Sequence, residues 1–330
     1  MEPGYLRLHR SGELKRRTEA LNENLQKCRL CPRECGVNRL AGQVGFCLAG
    51  AFTRVFSFLP HFGEEPPLSG MKGSGVIFFS RCTGRCLYCQ NWPMSHEGSG
   101  EDLTVPQISD LFLLLQEAGC HNVNLVSPTP WLPRVMSALE PAVERGFILP
   151  LVFNTSGYEA METLKLLEGI VDIYLADMRY GDDAPAEKYS ALKNYVEINR
   201  AAVREMHRQA GLLKCEDGIA RRGLIIRHLI LPNGLAGTKA VLGFIREELS
   251  PETHVSLMSQ YFPFFKAKEE LLLDRPISHE EYEEACRLLF ESGLKNGWIQ
   301  DEMDGETRRK YSGESFSGFP AREDDSLKRP

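Results

Sequence analysis

The chain has 330 residues, 42% hydrophobic and 25% charged, with a formal net charge of −6, which fits a globular α/β domain with a small appendage. The negative charge, with no long basic stripe, argues against a nucleic-acid groove. Apolar windows as short as residues 224–231 argue against a membrane span. Ten cysteines behind an amino terminus without a signal-peptide core predict metal ligands in a cytoplasmic protein, not disulfides.

Residues 1–27 read as a polar arm, either a surface helix over 13–25 or a solvated segment. Residues 28–74 form a cysteine-rich segment and linker. Within it Cys28, Cys31, Cys35 and Cys47 lie among Pro32, Gly36, Gly42 and Gly45. Four thiolates on such a loop suit a closed tetrahedral zinc site or a second iron–sulfur cluster; cytosolic disulfides are the weaker alternative.

From Gly75 the pattern alternates between strand and helix. Strands are expected over 75–80, 122–127, 149–154, 171–176, 224–231 and 254–260, each short and apolar or β-branched. Helical spacing joins Ile108, Leu111, Phe112 and Leu115 before Gly119. The same spacing joins Leu192, Val196, Val203 and Met206 before Gly211, and Tyr282, Ala285, Leu289 and Phe290 before Gly293. Such alternation implies parallel pairing with right-handed crossovers, and barrels of this kind place their sites at the strands' carboxyl ends. Residues 301–330 hold little apolar content and read as a mobile tail.

Directly after the first of these strands comes Arg81-Cys82-Thr83-Gly84-Arg85-Cys86-Leu87-Tyr88-Cys89. Three thiolates this close can ligate three irons of a [4Fe–4S] cubane. No fourth cysteine is near, so one iron stays open for a small molecule. The competing reading is a zinc site completed by His96. A non-catalytic electron carrier would cap all four irons, and the open triplet argues against it.

The triplet, with Tyr88 before Cys89 and the sequel Gln90-Asn91-Trp92, resembles the signature of radical S-adenosylmethionine (SAM) enzymes. Within them it is most similar to the pyruvate formate-lyase activating enzymes and their relatives, over residues 28–300. The resemblance implies an open, partial (β/α)6 barrel over 75–300, carrying the cysteine-rich segment at its amino end. It also implies a [4Fe–4S] cluster on Cys82, Cys86 and Cys89 that cleaves SAM reductively to a 5′-deoxyadenosyl radical. An external donor such as flavodoxin or ferredoxin would supply the electron. The substrate would be a glycyl residue of a partner protein, with another peptide or a small metabolite as alternatives.

The resemblance further implies that SAM is met by Tyr88 and by residues at the strand ends. Ser127-Pro128-Thr129-Pro130 stands where many activating enzymes have Gly-Gly-Glu, leaving Ser127 and Thr129 as candidate acceptors. Asn154 and Ser156 follow the third strand. Asp177-Met178-Arg179 matches a Leu-x-Asp-x-Lys pattern with arginine in place of lysine. Arg227-His228 matches an Arg-His pair whose histidine lies near SAM, and Gln260-Tyr261 is expected to point into the cavity. Cys120, Cys215 and Cys286 read as packing residues. A wide lateral mouth favours a macromolecule or extended peptide, whereas residues 57–74 folding over it as a lid would favour something small.

Overall fold

The structure is a computed structural model, and it describes residues 1–301. Two helices, α1 (Gly4–Arg10) and α2 (Glu13–Glu23), come first, followed by loops and then β1 (Thr53–His61), α3 (Pro66–Ser69) and β2 (Ser74–Phe79). Next are β3 (Glu101–Leu103), α4 (Val105–Glu117), β4 (Val123–Val126), α5 (Leu132–Glu144), β5 (Leu151–Thr155), α6 (Met161–Leu167) and β6 (Ile173–Asp177). The chain continues through α7 (Asp183–Ser190), α8 (Tyr195–Ala210), β7 (Lys214–Glu216), β8 (Ile219–Leu229) and α9 (Thr238–Phe244). It ends in β9 (His254–Met258), α10 (His279–Ser292) and β10 (Asn296–Ile299).

One sheet runs in the order β10-β9-β8-β6-β5-β4-β2-β1-β3, with β7 paired to β8. Neighbours from β2 through β10 along this path are parallel, while β1 joins β2 and β3 joins β1 antiparallel. The sheet therefore ends in β3 and β10 and stays open, as a partial barrel does. The six strands expected from the sequence are β2, β4, β5, β6, β8 and β9. The others were not expected: β1 contains Pro60, β3 and β7 have only three residues each, and β10 is interrupted by Gly297, so none shows a clean apolar run.

Pleating sends alternate residues to opposite faces. On the outer face Ile77, Phe79, Leu125, Phe153 and Tyr174 pack against the helices in the main core. On the inner face Val152, Ile173, Leu175 and Ile225 gather around Leu68 of α3. The Leu68 carbonyl accepts from Asn122 Nδ2 at 2.9 Å, just ahead of β4. Thus α3 plugs the amino-terminal end of the strands. Residues 57–74 complete β1, turn, and pack α3 against the inner face of the sheet.

In the amino-terminal arm the helix expected over 13–25 is α2 (Glu13–Glu23), whereas the solvated alternative does not hold. Tyr5, Leu14, Leu21 and Leu25 are buried. Tyr5 stacks on Phe147 at 5.8 Å and donates to the Leu149 carbonyl at 2.8 Å. The segment is an outer layer of the core, because its few apolar residues fall on one helical face. The expected tail lies outside the described residues except for Asp301.

Candidate functional site

The triplet loop leaves the carboxyl end of β2 and is pinned by its backbone. The Arg85 and Leu87 amides donate to the carbonyls of Ser190 and Tyr189 at 2.8 and 2.9 Å, at the end of α7. Arg81 adopts a left-handed conformation (φ 71°) to turn the chain into the loop. Each thiol has a polar neighbour: the Gly84 amide donates to Cys82 Sγ at 3.4 Å, Ser95 Oγ lies 3.2 Å from Cys89 Sγ, and Arg179 Nη1 donates to Cys86 Sγ at 2.9 Å. Burial pushes the Cys89 thiol up to about 12 and raises Cys82 as well, against the pull of Arg179. Such thiols ionise readily only when a metal takes the proton's place.

Behind Cys86 stands a charge network from three neighbouring strands. Asp177 Oδ1 accepts from Arg227 Nε at 2.8 Å and Asp177 Oδ2 from Arg179 Nη2 at 2.7 Å. Arg227 also donates to Asn154 Oδ1 at 2.6 Å and faces Glu64 at 3.6 Å. Burial opposes ionisation of Asp177, but Arg227 and Arg179 together hold its carboxyl below the usual range. Glu64 is pushed up to about 7 by burial, with Arg227 pulling the other way. The parallel register sets Asp177 opposite Arg227, so both point inward.

Beside Cys82 lies a small hollow of about 170 Å³, lined by Thr83, Ser127, Thr129, Pro130, Thr155 and Ser156. Under it is Glu159. One carboxylate oxygen accepts from the Thr129 hydroxyl at 2.7 Å and from the Thr155 hydroxyl, while the other is buried without a partner. Burial pushes this carboxyl up to about 7, against the pull of the two threonines.

Of the residues expected around the site, Cys82, Ser127, Thr129 and Ser156 share the hollow, and Asn154, Asp177, Arg179 and Cys86 share the network. His228 joins neither. It is buried, with Nδ1 2.7 Å from the Met178 carbonyl and Nε2 3.0 Å from Thr238 Oγ1 of α9, and burial lowers its pKa to about 4. The reason is the pleat: with Arg227 inward, His228 must face the helices. This corrects its assignment to the site. Tyr88 is engaged with Tyr180 at 2.8 Å, hydroxyl to hydroxyl, and packs edge-on against Tyr261 at 5.7 Å. Tyr261 itself donates to the Leu273 carbonyl and is packing, not cavity lining. His96 Nε2 faces the Cys86 carbonyl at 3.1 Å and its ring packs on Phe265, so that nitrogen is turned to a carbonyl and not to a thiol.

Glu159 and Glu64 escaped the sequence reading, and Arg227 was named there only as the neighbour of His228, with no role of its own. Strand register would have exposed Arg227 once Asp177 was placed. Glu159 and Glu64 lie in irregular segments and carry no spacing signal.

The second cysteine group adjoins the first. Cys28, Cys31, Cys35 and Cys47 line one hollow of about 320 Å³, together with Arg33 and Arg39. Arg33 Nε donates to the Thr83 carbonyl at 2.8 Å, its Nη2 reaches the Ala191 carbonyl at 2.5 Å, and its guanidinium lies 3.4 Å over the Phe46 ring. From the other side Arg85 donates to the Phe46 carbonyl at 3.0 Å. Cys120 is buried and Cys286 half-buried on α10. Cys215 is exposed on β7, so it is not a packing residue.

Residues 76–211 match the family model described as the radical SAM superfamily. The chain is 32% identical over 281 residues to the uncharacterized protein MJ0674 of Methanocaldococcus jannaschii, covering 82% of this chain and 77% of that protein. It is 25% identical over 313 residues to MJ0808 of the same organism, covering 89% and 86%. Among solved structures it is similar to HydG, a maturase of the [FeFe]-hydrogenase, at a TM-score of 0.45 and 12% identity. That match covers 70% of this chain and 52% of HydG. A second match is TYW1 with a lysine-pyruvate adduct bound, at 0.43 and 12%, covering 71% and 78%.

Proposed function

The chain belongs to the radical SAM superfamily, and on that premise we propose that it abstracts hydrogen from a glycyl or other residue of a protein or extended peptide. The donor set fits the cofactor: three thiols on one buried loop, with an amide, a hydroxyl and a guanidinium aimed at their sulfurs. When bound, the [4Fe–4S] cluster and SAM together supply a 5′-deoxyadenosyl radical, the chemistry general to the superfamily.

The chain's own residues hold and orient. Cys82, Cys86 and Cys89 ligate. Arg179 offers positive charge at Cys86 Sγ and would meet the SAM carboxylate. Asp177 fixes both arginines, and Asn154 orders Arg227. Ser127, Thr129 and Ser156 offer polar groups beside Cys82. Glu159 holds a buried carboxylate oxygen ready for a cationic partner such as the SAM ammonium. The cysteine-rich segment binds one further metal centre through its four thiolates. Residues 75–300 act as the catalytic unit, in the cytoplasm, with a flavodoxin- or ferredoxin-like donor.

The observation that carries the reading is the thiol triplet at the carboxyl end of β2, with Arg179 of the β6 end on Cys86. The open sheet, ending in β3 and β10, supports a macromolecular substrate. Two measurements test this. Anaerobically reconstituted protein, reduced with dithionite in the presence of SAM, should release 5′-deoxyadenosine. Deuterium should then pass into that product from labelled protein or peptide. Transfer only from a small metabolite would overturn the substrate class and leave the radical chemistry standing.

A further inference from the structure

We infer that Phe265 is a positioning residue for the triplet: it clamps the turn Pro93–Glu97 so that Ser95 keeps its hydroxyl on Cys89 Sγ, and through that hydrogen bond it raises the reduction potential of the cluster held there. The inference rests on the reading that Cys82, Cys86 and Cys89 ligate a [4Fe–4S] cluster. It starts from the chain after β9. Four strands, β8, β6, β5 and β4, separate β9 from β2 in the sheet, yet the segment leaving β9 crosses to the loop leaving β2. The Ala267 amide donates to the Leu87 carbonyl at 3.0 Å, and Glu270 pairs with Lys188 of α7 at 3.4 Å. Within this crossing Phe265 stacks on Trp92, with ring centroids 5.3 Å apart and planes 9° apart, and meets the His96 ring at 4.6 Å. Its backbone is left-handed, at φ 52°. A bulky aromatic residue holds that conformation only where its surroundings over-determine it. Glycine would adopt it without steric cost, so what this position supplies is the ring.

Trp92 and His96 are the two ends of the turn that wraps the triplet. The Trp92 amide donates to the Cys89 carbonyl at 3.2 Å, the Arg81 amide to the Met94 carbonyl at 2.9 Å and the Ser95 amide to the Asn91 carbonyl at 3.0 Å. Arg85 Nη1 donates to the Ser95 carbonyl at 2.8 Å. His96 Nε2 lies 3.1 Å from the Cys86 carbonyl, and because a carbonyl only accepts, that nitrogen donates. These bonds leave Ser95 Oγ 3.2 Å from Cys89 Sγ. A ligating thiolate carries no proton, so the hydroxyl is the donor there. Hydrogen bonds to the sulfurs are among the features that set a cluster's potential. Each favours the more negative, reduced form. The step affected is the gain of one electron from the external donor of the proposed function, with no bond made or broken at Cys89. Phe265 touches neither sulfur; it acts by keeping both ends of the turn in place.

The test uses full-length, anaerobically reconstituted protein in a mediated redox titration followed by EPR. The signal followed is the one that SAM shifts in a parallel reduced sample. Ser95→Ala should lower the reduced-to-oxidised ratio at a fixed potential about tenfold, or about 59 mV for one electron. Phe265→Gly relieves the backbone and removes the ring, and should lower the ratio in the same direction by about threefold to tenfold. Phe265→Tyr keeps the ring and should titrate as wild type. The double variant Ser95→Ala with Phe265→Gly should fall no further than Ser95→Ala alone, because the two residues act in series. A wild-type potential in Phe265→Gly would overturn the inference and reduce the ring to packing, as would effects that add in the double variant. Both results would leave the cluster assignment standing. If Phe265→Gly does not fold, Phe265→Leu is read by the same criteria. Absence of any SAM-sensitive cluster signal in wild type would overturn the ligand reading and this inference with it.

Discussion

The chain carries two cysteine groups side by side and supports them by different means. The triplet sits where a buried parallel strand ends, its loop pinned by backbone hydrogen bonds to α7, and its cation, Arg179, is held by a carboxylate from the same sheet. The amino-terminal group sits on irregular chain between α2 and β1. Its backbone is closed by a few turns, such as the Cys28 amide on the Val37 carbonyl and the Gly36 amide on the Cys28 carbonyl. Its cation, Arg39, faces carbonyls, the thiols of Cys28 and Cys47 and the Trp131 ring, with no carboxylate bonded to it among the described residues. A site built on a sheet stands without its metal, whereas one built on loops borrows its order from the metal.

The sharpest way to break this contrast is to empty each site in turn. Changing Cys82, Cys86 and Cys89 to Ala should abolish 5′-deoxyadenosine formation to background and scarcely move the melting temperature. Persisting product would refute the ligand assignment. Changing Cys28, Cys31, Cys35 and Cys47 to Ser should lower the melting temperature on the order of 10 °C. Hydrogen exchange should rise over residues 25–50 and stay low in β2 and β4. Equal melting temperatures for the two variants would erase the distinction.

The charge partners sharpen it further. Asp177→Asn leaves two partly buried arginines without their carboxylate, an expected loss of about 3 kcal/mol, or roughly 5–10 °C. Asp177 has a folded pKa below its unfolded value. Its contribution is therefore present above the unfolded carboxylate pKa and lost as pH falls through the folded one. The variant should lack that part of the acid limb in thermal melts against pH. SAM affinity should fall while iron stays bound; unchanged affinity would remove Asp177 from the pocket.

How much of this was legible follows from the same contrast. The six inner strands are apolar runs between helical windows, and burial on both faces writes that pattern directly into the sequence. The triplet was legible because three ligands share nine residues. Asp177 and Arg179 were legible as strand-end residues. His228 was misplaced because a strand's facing is a matter of parity, and nothing in the residue itself says which parity holds. β10 was hidden because Gly297 interrupts its short run, and the plug at Leu68 because its partners are distant in sequence. Glu159 was invisible because its role is set by Thr129 and Thr155, which only the fold brings to it.

Glu159 is also where the two regions meet, being near enough to Cys31 to raise that thiol while it underlies the hollow beside Cys82. Its folded pKa, about 7, lies above the ordinary carboxylate value. A carboxyl shifted upward stabilises the fold fully below its unfolded pKa, and that contribution fades as pH rises through the folded value. Without SAM, this one group should therefore cost wild type about 1.5 kcal/mol between pH 6 and pH 8, a drop of a few degrees in melting temperature. Glu159→Gln keeps the shape and removes this one titration, so it should lose less than wild type over that range by about that amount, while Glu64 and Asp172, also raised to about 7, still contribute. The same variant should bind SAM about tenfold more weakly at pH 8, because a charge-assisted hydrogen bond to a cation becomes a neutral one. Iron content should be unchanged. Equal pH profiles for wild type and variant would mean that the carboxylate is already ionised and partnered, and Glu159 would then be a structural residue between the two sites.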